Sequence, residues 1–421
     1  MEPLTGEVTR HLEQTVHELL REEPVLVLTG ARTVGKSTLL RACATSAGVV
    51  VHDLDDLDTR SAVSGDPAYF VRDERSPVCF DEFQHEPALL DAIKAELNRG
   101  LRPGRYLLTG STRYSSLPVA SQSLTGRVHI VTMWPLSQGE LLGRRERFLQ
   151  QLMTDPSTLI TTETSATSRH DYEALVLAGG FPIPLKRTSS SARSRWYTDF
   201  VTSVIERDVL DIRKVRQPQV LPQILGRLAG QTAQVLNAAA IAAAMEMDKG
   251  TVGDFIELLE AVFLTHRIPA FGRTLSSRVS ASPKVHLVDS GLGGHLLGVS
   301  GARLQAKHPT TLTEFGHLLE TFAVNEVLKQ AGWSAPEVRF SHFRTRDGVE
   351  VDLVAEAQDG RVSGIEVKAS GRVTEQDFRG LRLLRDRLGE DFVGGVLLNL
   401  GTRSYTKEDR LHVLPLDALW R

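Results

Sequence analysis

The chain has 421 residues, 41% of them apolar and 24% charged, with a net charge of −3. This composition excludes a fibrous or wholly disordered chain, and near neutrality excludes a globally basic nucleic-acid coat while leaving room for a local basic face. The length predicts about three domains, because single cores stop growing near ~250 residues.

Two cysteines, Cys43 and Cys79, are too few for a zinc or disulfide framework and suit small buried side chains in a reducing compartment. Met1 to Val16 is charged throughout, and no stretch of about 18 apolar residues follows anywhere, so the expectation is a cytoplasmic protein with no membrane attachment.

In chain order, Thr9 to Leu20 predicts a helix, and Val25-Leu26-Val27-Leu28 a buried strand. Gly30-Ala31-Arg32-Thr33-Val34-Gly35-Lys36-Ser37 then fits the pattern G-x-x-x-x-G-K-[ST], with a helix beginning near Lys36 and residues Gly30 through Thr38 as the expected nucleotide-binding set. A loop that wraps phosphates must aim backbone N–H groups inward, and glycines allow that close approach. Lys36 supplies a point charge for the terminal phosphates, Ser37 a hydroxyl for Mg²⁺, and the helix start a positive dipole end. The expected cofactors are ATP and Mg²⁺. The competing reading, a chance glycine-rich turn, is disfavoured by the strand-to-helix context.

The short strand Val78-Cys79-Phe80 ends in Asp81-Glu82. Paired acids in that place predict Asp81 as a holder of Mg²⁺ and Glu82 as general base toward the attacking water, against the bland alternative of a surface turn. A third strand, Tyr106-Leu107-Leu108, delivers Thr109-Gly110-Ser111-Thr112, from which Ser111 is the preferred sensor of the γ-phosphate and Thr109 the second choice. Leu124-Thr125-Gly126-Arg127 places an arginine suited to neutralising phosphoryl charge in a neighbouring subunit, with a solvated Arg127 or an ion pair as the alternative.

The order of these motifs, continued by Trp134-Pro135-Leu136-Ser137-Gln138-Gly139-Glu140, resembles the prokaryotic AAA+-type ATPases whose C-terminal half is a domain of unassigned function. Gly179-Gly180-Phe181-Pro182, Glu206-Arg207-Asp208, Pro283-Lys284-Val285, Asp289-Ser290-Gly291-Leu292, Gly348-Val349-Glu350-Val351-Asp352 and Glu366-Val367-Lys368 extend the resemblance over nearly the whole chain. Ala31 and Thr33 stand where such proteins often carry Pro and Gln, which removes no phosphate contact. The resemblance implies a homo-oligomer, with a hexamer as one arrangement, and DNA as a partner.

The expected fold class is α/β. It comprises an AAA+-type P-loop core (residues 1–145), a helical lid (146–215), a winged-helix-like module (216–275) and a C-terminal α/β restriction-endonuclease-like domain (276–421). In the lid, the Ser/Thr-rich stretch Thr154 to Ser168 predicts a mobile loop and Ser194 to Leu210 a long helix. In the module, helices are expected at Leu221–Gly230, Ala238–Met245 and Thr251–Ala261. Asp254, Glu257 and Glu260 would give the third an acidic exposed face that repels phosphates, which favours a packing or partner-binding role over DNA reading.

In the last domain the expected order is a helix from Thr313 to Gln330, three strands, a helix from Thr374 to Leu388 and a strand from Val393 to Leu400. Asp352 lies on one strand, and Glu366 and Lys368 occupy alternate positions on the next, so they share a face. With Glu320 from the helix, the set predicts a possible second metal site of the PD-(D/E)xK nuclease kind. Val351 departs from the usual proline, Glu350 is a further ligand candidate, and an accidental solvated face or a degenerate docking domain is the rival. Three functions follow: a DNA motor or remodeller, an ATP-regulated nuclease, and a signalling switch that binds a protein.

Overall fold

The computed structural model describes residues 3–113, 124–212, 217–272, 282–334 and 337–421. The N-terminal domain is built on a parallel five-stranded sheet of β1 (Val25–Thr29), β2 (Val51–Asp53), β3 (Val78–Asp81), β4 (Tyr106–Gly110) and β5 (Val128–Thr132), in the order β2-β3-β4-β1-β5. β1, β3 and β4 are buried at every position, as continuous apolar runs covered on both faces must be. β5 lies at the edge, with His129 and Ile130 exposed, Ile130 at 43%, and Val131 buried. Because the strands are parallel, the residues after β1, β3 and β4 all emerge at one sheet edge, the usual location of a ligand crevice.

The helix Arg169–Ala178 starts at a reciprocal cap between Ser168 and Asp171. The expected long helix is Ser190–Ser203, which continues as a π-helical stretch, Val204–Val209. Three helices follow at Leu221–Gly230, Ala238–Ala244 and Lys249–Ala261, with β6 (Gln234–Val235), β7 (Thr265–Ile268) and β8 (Lys284–Leu287) forming an antiparallel sheet in the order β6-β8-β7. One expectation fails here. Glu260 is buried and paired with Arg267, since the last turn of its helix packs inward, so only Asp254 and Glu257 face outward.

The stretch Thr154 to Ser168 also differs from the expected lid loop. Thr161 N–H donates to Ser404 Oγ at 2.9 Å, Ser165 N–H to the Thr402 carbonyl at 2.7 Å, and the Ser165 and Thr167 hydroxyls to Asp417 Oδ2. Its hydroxyls spend their hydrogen bonds on the C-terminal domain, and the preceding helix Phe148–Thr154 buries Phe148, Leu149, Leu152 and Met153 in the same core.

The C-terminal sheet comprises β9 (Val338–Arg344), β10 (Glu350–Ala357), β11 (Val362–Lys368), β12 (Phe392–Asn399), β13 (Tyr405–Glu408) and β14 (Leu411–Pro415), ordered β13-β14-β12-β11-β10-β9. β9 to β11 form an antiparallel meander, and β11, β12 and β14 run parallel. The helix Pro309–Ala331 packs on one face, and Arg379–Leu388 on the other. Gly380 permits the second contact, since a Cβ there would lie 1.8 Å from the Glu350 carbonyl oxygen.

The domains are joined by buried polar contacts. Glu326, on the helix Pro309–Ala331, accepts from Gln138 N–H at 2.8 Å and pairs with Lys329, which also donates to the Leu136 carbonyl at 2.9 Å. Asp289 accepts from Gly180 N–H and the Tyr197 hydroxyl and caps its own helix through Leu292 N–H. The Gly-Gly-Phe-Pro and Asp-Ser-Gly-Leu segments are therefore one structural joint.

Candidate active site

Gly30 through Ser37 follow β1 directly. A Cβ on Gly30 would lie 2.2 Å from the Met133 carbonyl oxygen, so only glycine passes β5 here. Thr33 (φ 64°) and Gly35 (φ 101°) adopt left-handed conformations that turn the loop before the helix Lys36–Ala47 begins. Lys36 is 4% exposed, and its Nζ donates to the Gly30 and Ala31 carbonyls, each at 3.0 Å. Burial pushes Lys36 below its ordinary pKa, while the charges of Glu82 and Asp81 oppose the fall. An ammonium held over the loop it serves is positioned for an incoming phosphate.

Asp81, the last residue of β3, is 2% exposed and accepts a hydrogen bond from the Thr109 hydroxyl. Burial pushes Asp81 upward, and the Thr109 and Ser37 hydroxyls resist the shift. The loop hydroxyl and the strand carboxylate thus meet, giving a pair of hard oxygen donors that fits Mg²⁺. Mg²⁺ bound there would neutralise phosphate charge.

Glu82 stands next to Asp81 at φ 52°, a left-handed conformation rare outside glycine and concentrated at functional sites. Burial acts upward on its pKa, but the Lys36 charge, the Gln84 hydrogen bond and the Arg32 charge outweigh it and hold Glu82 below the ordinary carboxylate value. Glu82 is therefore held in its ionised form at neutral pH. Gln84 Nε2 donates both to Glu82 Oε2 and to Ser111 Oγ, the latter at 3.1 Å, so Ser111 is linked to Glu82 through Gln84. Thr109 instead supports Asp81 and accepts from Glu82 N–H.

Arg32 is turned away from the loop toward Asp208, with Nε 2.7 Å from each carboxylate oxygen. Thr33 and Thr38 are exposed. Arg127 precedes β5 at the end paired with Val25, the opposite end of β1 from the phosphate loop, and donates to Asn98 Oδ1 at 2.6 Å. The length of β1 keeps it some ~13 Å of strand away from this chain's own phosphates. Both cysteines are buried thiols, and burial pushes Cys79 up to about 12.

Several supporting residues carry no signal in the glycine-rich pattern. Arg10, 7% exposed, donates to Glu140 Oε1, to the Val34 carbonyl in the phosphate loop at 2.7 Å and to the Trp134 carbonyl at 2.8 Å. Arg113, just past Ser111, donates through Nε to the Glu260 carbonyl at 2.9 Å and through its backbone N–H to the Ala261 carbonyl at 2.8 Å, joining β4 to the helix Lys249–Ala261. Asp208 and Lys284 fall inside the motifs that carried the family resemblance, which was the one available signal for them, and Gln84 lies two residues beyond the Asp81-Glu82 pair.

Glu320, Asp352, Glu366 and Lys368 are brought together as expected, but with a cation of the chain's own among them. Lys284 Nζ donates to Glu320 Oε1 at 2.7 Å and to Asp352 Oδ1 at 2.9 Å. Among the described residues, no group of three or more His, Cys, Asp or Glu side chains is arranged to hold a metal ion. Glu350 turns outward to Arg344.

Residues 22–142 match the family described as an AAA domain, residues 169–303 a domain of unknown function (DUF8612), and residues 315–419 another (DUF4143). The first of these units, which carries the phosphate loop and the Asp81-Glu82 pair, is similar to AAA domains. A protein of Mycobacterium tuberculosis is 26% identical over 349 residues, covering 83% of this chain and 71% of that protein. One of Haemophilus influenzae is 22% identical over 369 residues, covering 80% of each. Among solved structures, a Walker-type ATPase of Pyrococcus abyssi aligns with a TM-score of 0.42 at 15% identity, over 68% of this chain and 94% of that one. The Thermotoga maritima RuvB Holliday junction branch migration motor aligns with a TM-score of 0.29 at 15% identity, over 62% and 90%. Among the described residues no helix is long and apolar enough to cross a membrane.

Proposed function

We propose that the chain is a Mg²⁺-dependent ATPase in which Lys36 and Ser37 bind the phosphates, Asp81 holds Mg²⁺ with Ser37, Glu82 is the general base and Ser111 senses the γ-phosphate through Gln84. The observation that carries this reading is the meeting of Ser37, Asp81 and Glu82 beside Lys36 at one edge of the parallel sheet. Arg127, out of reach of its own site, acts on that of a neighbour in a homo-oligomer. An Arg127→Ala protein that hydrolyses ATP normally at assembling concentrations would remove the finger.

Turnover is coupled to DNA through the three-helix module, which Arg113 ties to the end of the sensor strand. The deciding experiment is steady-state ATP hydrolysis with and without single-stranded, duplex and branched DNA, using Glu82→Gln as the blank. Hydrolysis lost in Glu82→Gln with nucleotide binding intact supports the base, and stimulation by DNA supports the coupling. Unimpaired hydrolysis by Glu82→Gln sinks the former, and indifference to every DNA sinks the latter in favour of a protein-binding switch.

A further inference from the structure

Lys284 lies on β8 in the central module, whereas the carboxylates it meets lie on the helix Pro309–Ala331 and on β10. It is 1% exposed, so its charge has no solvent to lean on. Two of its three N–H donors go to Glu320 and Asp352. Asp352 spends its second oxygen on Val367 N–H at 2.9 Å. Glu366, 4% exposed, takes a 2.6 Å hydrogen bond from Lys368 on Oε1, while its buried Oε2 has no hydrogen-bond partner among the described residues.

Two buried carboxylates, Asp352 and Glu366, and the half-buried Glu320 therefore face two ammonium groups, and one buried oxygen, Glu366 Oε2, is left over. A buried acceptor without a partner is costly, and a monovalent ammonium with three fixed donors cannot satisfy the whole set. A divalent ion takes six or more oxygen ligands and twice the charge.

We propose that Lys284 is a built-in substitute for a divalent cation: its ammonium occupies the place between Glu320 and Asp352, beside Glu366, where such an ion would bind, and closes the C-terminal domain to metal. The plug and the cluster come from segments matched by different domain families, so closure depends on β8 staying docked against β10 and the helix Pro309–Ala331.

The test is Mn²⁺ binding to the full chain without nucleotide, read from the electron paramagnetic resonance signal of free Mn²⁺. Wild type and Asp352→Asn should bind alike, because the cluster takes no metal while Lys284 is present. Lys284→Met should gain one site, at least ~tenfold tighter than any in wild type, once the resident charge no longer competes. That site should vanish in Lys284→Met with Asp352→Asn, and Mn²⁺ should raise the melting temperature of Lys284→Met alone. An Asp352-dependent Mn²⁺ site already present in wild type overturns the proposal, and this comparison holds even if Lys284→Met fails to fold. A folded Lys284→Met protein that gains no site overturns it equally.

Discussion

Arg10 shows how a residue outside every motif governs one inside. Its guanidinium spans Glu140, the Val34 carbonyl and the Trp134 carbonyl, so it fixes the phosphate loop to the segment that leaves β5. Arg10→Ala strands buried Glu140 with the helix-capping N–H groups as its remaining donors and unpins Val34. Charge-assisted hydrogen bonds of this kind are worth about 1.5–3 kcal/mol each, so the melting temperature should fall and the Kd for ATP rise several-fold. Calorimetric titration with ATP checks this; unchanged affinity would show that the loop holds its shape unaided. Glu82→Gln is the complementary case, because it removes the proposed base and none of the phosphate contacts. Nucleotide binding should persist while kcat drops by roughly 10²-fold or more, and a single-turnover assay separates the two.

At the scale of elements, the ion pair between Arg32 and Asp208 joins the phosphate loop to the π-helical stretch Val204–Val209. π-Helical turns often mark functional positions, and here one carries the carboxylate that holds Arg32, so on the proposed function Asp208 would compete with phosphate for it. Asp208→Asn keeps the shape and removes the charge, so ATP should bind a few-fold tighter while turnover slows, because Arg32 then stays with the nucleotide. Equal ATP affinity in the two proteins, measured by titration, would place Arg32 outside phosphate reach. The phosphate loop, its strand and Asp81-Glu82 were legible in the sequence because phosphate chemistry dictates residue types at short spacing. The order of elements in the C-terminal half was legible from alternation and helical period. Asp208, Arg10 and Lys284 were not assignable, since each acts across a sequence separation of 24 residues or more that no local period encodes. Glu260 misled for a related reason: helical spacing puts it on the acidic face, yet Arg267 on the neighbouring strand draws it inward.

For the whole molecule, the stability of the assembled domains rests on buried polar joints that respond to pH and to charge removal. Burial lowers His342, on β9, to about 4 even though its Nε2 meets the Ser282 carbonyl oxygen at 3.1 Å. A histidine with a depressed folded pKa contributes stability that is complete above its unfolded value and is lost as pH falls through the folded one. The window here runs from ~6.5 down to ~4 and is worth at most about 3 kcal/mol. The advantage of wild type over His342→Gln in denaturant should therefore shrink between pH 7 and pH 5, and a constant difference would contradict the burial argument. The second joint is the pair of Lys329 with Glu326, which fastens the helix Pro309–Ala331 to Leu136 and Gln138 of the ATPase domain. Lys329→Met leaves Glu326 buried with the Gln138 N–H as its remaining donor, and breaking a buried pair by removing one partner costs about 3–5 kcal/mol. Adding Glu326→Gln removes the stranded charge, so the double variant should recover much of that loss. If the joint holds the ATPase and C-terminal domains as one cooperative unit, wild type unfolds in a single transition and Lys329→Met in two. Calorimetric scans of the three proteins decide it: a single transition in Lys329→Met, with stability near wild type, would mean that the apolar contacts of the helix suffice to dock the domains.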